Sequence, residues 1–111
     1  MSTDKELVAY CRASFCPYVQ KARRVFKRYD LPVREIMIDQ DPEALERVLS
    51  WTGYKSVPTI LLANPGEVVP FEEPAPLEEG TSPRGVDRGV MITEPYEEEL
   101  EAWLRKHGFI E

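Results

Sequence analysis

The feature that most constrains the fold is an alternation of strand-like and helix-like segments in the first part of the chain. ELVAY (6–10) is a short apolar run typical of a buried strand, and PYVQKARRVFKRY (17–29) has apolar residues at helical spacing. VREIMID (33–39) and TILLA (59–63) have the composition of a second and a third strand, with a helical segment between them. Because helical crossovers join parallel strands, we expect the first two strands to be parallel. The order predicts an α/β domain of two or three layers.

The second helix has clear start and stop residues. Asp41 is a residue type that caps helix N-termini, and Pro42 suits the first helical position because its missing N–H has no partner there. Gly53 suits the C-cap, where the backbone often turns left-handed. We therefore expect a helix that begins at Pro42 and ends just before Gly53.

The second half of the chain interrupts the alternation. VVP (68–70) is a candidate start of a further strand, but residues 70–89 are rich in proline, glycine and glutamate and lack hydrophobic periodicity. Long segments of this kind are loops or insertions, either functional or disordered. VMIT (90–93) predicts a last strand and EPYEEELEAWLRKHG (94–108) a last helix. The apolar face of that helix is predicted to comprise Tyr96, Leu100, Trp103 and Leu104.

Composition and charge narrow the classes of function. Apolar residues make up 42% and charged residues 31% of the 111 positions, which is typical of one folded domain spanning residues 1–111. A net charge of −6 argues against nucleic acid as a partner, and no apolar run is long enough to cross a membrane. MSTDKELVAY (1–10) lacks the apolar stretch of a signal peptide, so we expect a cytoplasmic protein, in which cysteines stay reduced.

Cys16 lies in the turn between the first strand and the first helix. Free N–H groups and aligned peptide dipoles at a helix N-terminus stabilise a thiolate, which is the nucleophilic form of cysteine. Arg12 lies upstream, and KARRVFKR (21–28) carries five positive charges that favour the same thiolate, unless this run is only a solvated helix face. The alternative for Cys16 is a buried core cysteine without chemistry, since cysteine is among the most buried residue types.

Taken together, these segments resemble the glutaredoxin family of the thioredoxin superfamily. The matching pieces are LVAY, RASFCPYV, IMID, DPEALERVLSWTG and SVPTILL, which together span residues 6–63, and the last helix extends the match. WTGYKSVPT and ITEPYEEELEAWL resemble the mycoredoxin-like branch, whose members often serve organisms that use thiols other than glutathione. The resemblance implies a thioredoxin-like α/β fold of order βαβαββα, with a central mixed sheet of four strands, or of three, and flanking helices. It also implies thiol–disulfide oxidoreductase activity.

The resemblance carries site roles to five residues. Cys16 matches the catalytic nucleophile, and Tyr18 matches the aromatic residue that helps to shape the cosubstrate groove. Arg12 resembles the basic residue that binds a carboxylate of glutathione, although it precedes the cysteine by four residues where the family usually has three. Val57 matches the residue whose backbone pairs with the cysteinyl part of the thiol cosubstrate, and Pro58 matches the family's cis-proline.

The resemblance also implies the partners. The cosubstrate is glutathione or another low-molecular-weight thiol, and the substrates are protein mixed disulfides. No cofactor is expected to be tightly bound, and the sequence contains no metal-type cluster of cysteine and histidine. We expect the protein to act as a monomer.

Val19 is the largest departure from the family pattern. It stands where a resolving cysteine would be, so a dithiol mechanism between positions 16 and 19 is excluded and a one-cysteine mechanism remains. Cys11 is a possible resolving residue, but a disulfide requires Cα atoms within about 7 Å, and strand-to-helix geometry can exceed that distance. The alternative for Cys11 is a packing role in the core.

A second departure concerns the thiol-binding groove. The family's Gly-Gly-x-Asp segment is not recognisable, and GVDRG (85–89) is only a faint echo of it. The insertion of residues 70–89 stands near that place, and its Arg84 and Arg88 offer new contacts for an anion. The alternative is an inert surface loop, so specificity for glutathione is open.

Two other functions remain as alternatives. Some monothiol glutaredoxins bind an iron–sulfur cluster through this cysteine and a bound thiol, but their motif has glycine and phenylalanine where this chain has Pro17 and Tyr18. The other alternative is a redox-inactive domain used for protein interaction, which a buried, unreactive Cys16 would favour.

Overall fold

The helices and strands follow one another in the order that the sequence predicts. The computed structural model describes residues 4–111, so residues 1–3 of the predicted domain lie outside the described part. The elements are β1 (Glu6–Cys11), α1 (Pro17–Arg28), β2 (Val33–Met37), α2 (Pro42–Thr52), β3 (Thr59–Ala63), β4 (Met91–Thr93) and α3 (Glu97–Lys106). The order βαβαββα is confirmed.

The sheet is mixed and has four strands in the order β2-β1-β3-β4. β1 and β2 are parallel, with Leu7 opposite Val33, and the antiparallel strand β3 pairs with the other edge of β1. β4 continues the sheet antiparallel to β3. The predicted parallel pairing and the thioredoxin-like α/β class are therefore confirmed, and the sheet has four strands rather than three.

Residues 68–70 form no strand, which corrects the prediction of a strand start there. After β3 the chain turns at residues 64–67, where the N–H of Glu67 donates to the carbonyl of Asn64 at 2.9 Å. The carbonyl of Val68 accepts a hydrogen bond from the Tyr10 hydroxyl instead of pairing in the sheet. Pro70 also lacks the N–H that a ladder requires.

Helix α2 begins and ends where its capping residues predict. The Asp41 side chain accepts hydrogen bonds from the N–H groups of Glu43 and Ala44 at 3.1 and 3.3 Å. Gly53 has a left-handed φ of 81°, and its N–H donates to the carbonyl of Leu49 at 2.8 Å. A residue with a Cβ would be strained in this conformation, which explains the glycine.

The core lies on both sides of β1 and β3, whose residues are buried apart from Glu6. Helix α1 buries Val19, Ala22, Val25 and Phe26 and contacts α3. Helix α2 packs on β1 through Tyr10, whose ring meets that of Trp51 edge-on at 5.2 Å between centroids.

Among residues 4–111, no helix combines the length and the apolarity that crossing a membrane requires.

The insertion is anchored to the sheet at its C-terminal end. Arg84 forms an isolated bridge with Thr93, and Asp87 forms another with Ile92. The N–H of Gly85 donates to the carbonyl of Thr93 at 2.7 Å. Residues 84–87 therefore run beside β4, although they show no hydrophobic periodicity.

Candidate functional site

Cys16 is the N-cap residue of α1 and has extended backbone angles, with φ −147° and ψ 121°. Pro17 occupies the first turn, as the sequence predicts. The residue is only 6% exposed, and its Sγ lies 3.9 Å from the carbonyl oxygen of Val57. The thiol therefore lies between the start of α1 and the segment that leads into β3.

The segment that faces Cys16 is buried and ordered. The peptide bond between Val57 and Pro58 is cis, and both residues are buried. The Thr59 hydroxyl donates to the carbonyl of Ser56 at 2.9 Å, which holds the turn before β3. The fold thus brings Cys16 beside the Val57–Pro58 segment, which lies more than 40 positions further along the chain.

Asp39 holds the loop that leads to Cys16. The N–H of Ala13 lies 3.0 Å from both of its carboxylate oxygens, and the N–H of Ser14 donates to one of them at 3.3 Å. These backbone hydrogen bonds, that from Ala13 above all, lower the pKa of Asp39. Sequence reasoning did not identify Asp39 because its partners are backbone groups, which leave no side-chain pattern.

Arg12 lines a small cavity beside this loop. The cavity has a volume of about 160 Å³ and is lined by Arg12, Ile38, Asp39, Leu45 and Lys55. One Nη of Arg12 donates to the carbonyl of Phe15 at 2.7 Å, whereas its Nε is buried without an acceptor among the described residues. The guanidinium of Arg12 and the ammonium of Lys55 thus line the same cavity, and such cations can bind a carboxylate. Lys55, which directly precedes the SVP segment, is the cation of this cavity that the sequence analysis did not identify.

Tyr18 lies two residues after Cys16 and belongs to an aromatic stack. Its ring stacks on that of Tyr96, with 5.9 Å between centroids and 25° between planes. Tyr96 was predicted on the apolar face of the last helix, but it is the N-cap of α3 and is 44% exposed. Because α3 begins at Glu97, Tyr96 lies outside the helix, and its side chain does not follow the helical spacing.

The basic run of α1 is largely neutralised by ion pairs. Arg23 contacts Glu35 at 2.7 Å, and Arg24 contacts Glu97 at 3.1 Å. Arg28 contacts the same Glu97 at 2.8 Å. These three arginines therefore pair mainly with carboxylates of other elements on the protein surface. The alternative of a solvated helix face describes them better than the interpretation that they stabilise the Cys16 thiolate.

Cys11 and Val19 are both core residues. Cys11 is 2% exposed and Val19 is 1% exposed. Burial, with a smaller contribution from the Glu35 charge, raises the pKa of the Cys11 thiol to about 12. Both cysteines are free thiols. Cys11 is therefore a buried thiol of the core, and its role as a resolving residue stays a prediction.

Arg88 has a structural environment that differs from the one the sequence suggested. It is 7% exposed and donates to the carbonyls of Trp51 and Ala75 at 2.6 and 2.7 Å. Asp87 contacts Lys106 and the N–H of Gly89. Neither residue contacts Cys16 or its neighbours, so GVDRG does not supply a replacement for the family's Gly-Gly-x-Asp segment. Arg84, in contrast, reaches the aromatic stack.

A thiol at the start of the first helix, facing a cis-proline on a mixed four-stranded sheet, is the arrangement of thioredoxin-like thiol–disulfide oxidoreductases. Within that class, the family model for glutaredoxin matches residues 7–65. The chain therefore belongs to the glutaredoxin family. No curated protein matches it. Among residues 4–111, no group of three or more histidine, cysteine or acidic side chains could hold a metal ion.

Proposed function

We propose that this protein is a cytoplasmic, monomeric oxidoreductase that reduces mixed disulfides through the single cysteine Cys16. The observation that carries the proposal is the placement of Cys16 at the N-cap of α1, 3.9 Å from the Val57 carbonyl. Val19 is packed in the core. A one-cysteine mechanism therefore fits the site better than a dithiol mechanism.

The reaction has two exchange steps. The Cys16 thiolate attacks the low-molecular-weight half of a protein mixed disulfide, which forms a new S–S bond at Cys16 and releases the protein thiolate, which takes up a proton. The thiolate of a second low-molecular-weight thiol then attacks this adduct. The two low-molecular-weight halves leave joined as a disulfide, and Cys16 returns to its reduced form as a thiolate. One free low-molecular-weight thiol is consumed for each protein mixed disulfide reduced, and the products are the protein thiol and one low-molecular-weight disulfide.

The residues around Cys16 supply binding groups for the thiol cosubstrate. Arg12 and Lys55 line the cavity of about 160 Å³, and these two cations are suited to a carboxylate. Tyr18 forms the aromatic edge of the groove, and the backbone of Val57 is positioned for the cysteinyl part of the cosubstrate. Glutathione fits these groups, as does another thiol with an anionic end.

The burial of Cys16 favours a second candidate function, a redox-inactive interaction domain. Reactive cysteines are usually partly exposed, whereas Cys16 is 6% exposed. Phe15, which directly precedes it, is 72% exposed and offers an apolar contact for a partner. The two functions differ in whether the thiol reacts.

Substitution of each cysteine separates these functions. We expect Cys16→Ser to abolish reduction of a peptide–glutathione mixed disulfide, because the nucleophile is removed. We expect Cys11→Ser to retain activity within about twofold, because a thiol with a pKa of about 12 is protonated at neutral pH. The measurement is glutathione-dependent turnover at pH 7, together with the rate of Cys16 alkylation against pH in wild-type protein and in Cys11→Ser.

Two results would contradict the proposal. Wild-type protein that neither turns over mixed disulfides nor reacts with an alkylating agent would support the interaction domain. Loss of activity in Cys11→Ser, with the fold intact by circular dichroism, would replace the one-cysteine mechanism by one that uses Cys11 as the resolving residue.

A further inference from the structure

A cavity with a volume of about 820 Å³ lies between the end of α2 and the insertion. Ser50 and Trp51 line it on the side of α2, residues 73–77 line it on the side of the insertion, and Arg88 completes the lining. Cys16 and the segment that faces it are not part of this lining. The volume is within the range of sites that bind small organic molecules. We call this site the insertion cavity.

The two walls of the insertion cavity are fixed to each other by Arg88. Its Nε donates to the carbonyl of Ala75 at 2.7 Å, and its backbone carbonyl accepts the N–H of Ala75 at 3.0 Å. One Nη donates to the carbonyl of Trp51 at 2.6 Å, and the Trp51 ring packs on that of Tyr10. Pro74 and Pro76 have a fixed φ, which stiffens the other wall. A cavity with walls held in this way loses little entropy when a ligand binds.

Arg88 brings a positive charge into this cavity without a counter-charge. The side chain is 7% exposed, and among residues 4–111 no carboxylate lies within 4 Å of it. In the same part of the chain, no group accepts a hydrogen bond from its second Nη. Burial lowers the pKa of Arg88, as expected for a cation that lacks a partner. The guanidinium is therefore suited to bind a carboxylate of a ligand.

Glu73 supplies the opposite charge at the same cavity. It is exposed, and no cation of the described residues lies within 4 Å of its carboxylate. A ligand that carried only a carboxylate would be repelled by Glu73, whereas a ligand that also carried an ammonium group would satisfy both residues. The indole of Trp51 and the side chain of Leu77 give the same cavity apolar surface for the body of the ligand.

We propose that the insertion cavity binds an apolar dipeptide with free termini, with its carboxylate on Arg88 and its ammonium group on Glu73. Because the charged groups of these two residues are more than 4 Å apart, a ligand with separated charges fits between them. The cavity volume also suits two residues better than one amino acid. The inference goes beyond the proposed function, because this site does not use the Cys16 thiol.

The test titrates L-leucyl-L-phenylalanine into isotope-labelled protein at pH 7 and follows the two tryptophan indole N–H signals by NMR. Trp51 lines the cavity, whereas Trp103 does not and donates to the carbonyl of Gly89. Trp51→Phe assigns the two signals. Two matched ligands each lack one charge: the N-acetyl dipeptide has no ammonium group, and the dipeptide amide has no carboxylate. The proteins compared are wild type, Glu73→Gln, Arg88→Lys and the control Glu79→Gln.

We expect the dipeptide to shift the Trp51 signal to saturation and to leave that of Trp103 nearly unchanged. The N-acetyl dipeptide and the amide should each bind about tenfold more weakly, which corresponds to the loss of one charge-assisted hydrogen bond. Glu73→Gln should weaken binding of the dipeptide about tenfold and that of the N-acetyl form little. Glu79→Gln removes an exposed carboxylate of the insertion outside the cavity and should match wild type.

Arg88→Lys distinguishes a binding role of Arg88 from its structural role. A lysine keeps the charge but lacks the planar fork, so it should weaken binding of the dipeptide and of the N-acetyl form. It should change binding of the amide little, because the amide has no carboxylate for Arg88. Equal weakening of all three ligands would mark Arg88 as a scaffold residue only and would overturn its assignment.

Three other results would overturn the inference. These are a Trp51 signal that does not shift to saturation, an N-acetyl dipeptide that binds as tightly as the free dipeptide, and equal effects of Glu73→Gln and Glu79→Gln. Cys16→Ser should bind the dipeptide like wild type, because Cys16 does not line the cavity. Failure of the proposed function would therefore appear in turnover alone, and failure of this inference in the titration alone.

Discussion

At the scale of single residues, the geometry around Cys16 depends on one exposed carboxylate. Asp39 accepts the backbone N–H groups of Ala13 and Ser14 and so fixes the loop that connects β1 to the thiol. Arg12 closes the same loop through its hydrogen bond to the carbonyl of Phe15. The position of Cys16 is therefore set by contacts with the end of β2 as well as by α1.

The Asp39 contact should make stability depend on pH. The pKa of Asp39 is lowered in the folded protein, so its contribution is fully present above the unfolded pKa of about 3.9 and is lost as pH falls through the lowered folded value. We expect Asp39→Ala to be less stable than wild type to urea above about pH 5, and this deficit to shrink below about pH 4. Glu79→Ala, which removes an exposed carboxylate of the insertion, is the control. A deficit that stays constant down to pH 2 would contradict this origin.

The site residues differ in how far the sequence could identify them. Cys16 could be identified because its chemistry depends on a local feature, the start of a helix. Asp39 could not, because it acts on backbone groups 25 and 26 positions away. The stacking of Tyr96 on Tyr18 likewise depends on how α3 meets α1, which the helical period alone does not predict.

At the scale of elements, local chemistry accounts for the boundaries that were predicted well. Helix α2 is bounded by Asp41, Pro42 and Gly53, each of which acts within a few residues. The segment at 68–70 was predicted wrongly because strand formation depends on a partner strand, and the Val68 carbonyl finds the Tyr10 hydroxyl instead. The bridges that residues 84–87 make with β4 also depend on distant partners, so the hydrophobic pattern of the sequence could not predict them.

The contribution of the α2 N-cap to the free energy of unfolding should be measurable on its own. Asp41→Ala removes the acceptor for the N–H groups of Glu43 and Ala44 and should lower the free energy of unfolding by about 1 kcal/mol. Asp41→Asn should be close to wild type, because asparagine caps helices about as well. Urea denaturation of the three proteins at pH 7 provides the comparison. If Asp41→Asn lost as much stability as Asp41→Ala, the charge rather than the cap would be responsible.

At the scale of the whole molecule, the distribution of charge differs from its sum. The net charge is −6, yet cations gather in two places: Arg12 and Lys55 line one cavity, and Lys21 and Arg84 lie against the rings of Tyr18 and Tyr96. Much of the remaining positive charge on α1 pairs with acidic residues of β2 and α3.

The insertion is joined to the rest of the molecule by Arg88 and by α3. The guanidinium of Arg88 bridges the carbonyl of Trp51 near the end of α2 and that of Ala75 in the insertion. The Trp103 indole donates to the carbonyl of Gly89 at 2.9 Å, and His107 contacts the same carbonyl. These links connect residues 70–89 to two helices and explain why an apparently structureless segment is ordered.

Substitution of Arg88 should therefore weaken the fold without removing the reaction. Arg88→Met leaves two carbonyls without their buried donor and should lower the free energy of unfolding by about 2 kcal/mol, within the range of about 1–3 kcal/mol for an unsatisfied buried group. The cost stays moderate because a buried cation without a carboxylate within 4 Å, among residues 4–111, is also removed. Turnover per folded molecule should stay near wild type, because Arg88 contacts no residue of the site.

The comparison needs two further proteins. Arg88→Lys keeps the charge but offers one donor group in place of a fork, so its stability should lie between those of wild type and Arg88→Met. Arg105→Met removes an exposed arginine of α3 and should leave stability nearly unchanged. Urea unfolding measures all four, with turnover at pH 7 measured in parallel. If Arg88→Met were as stable as wild type, the cost of burying the Arg88 cation would equal the stability that its hydrogen bonds contribute. The insertion would then be held in place by Trp103 and by the bridges to β4.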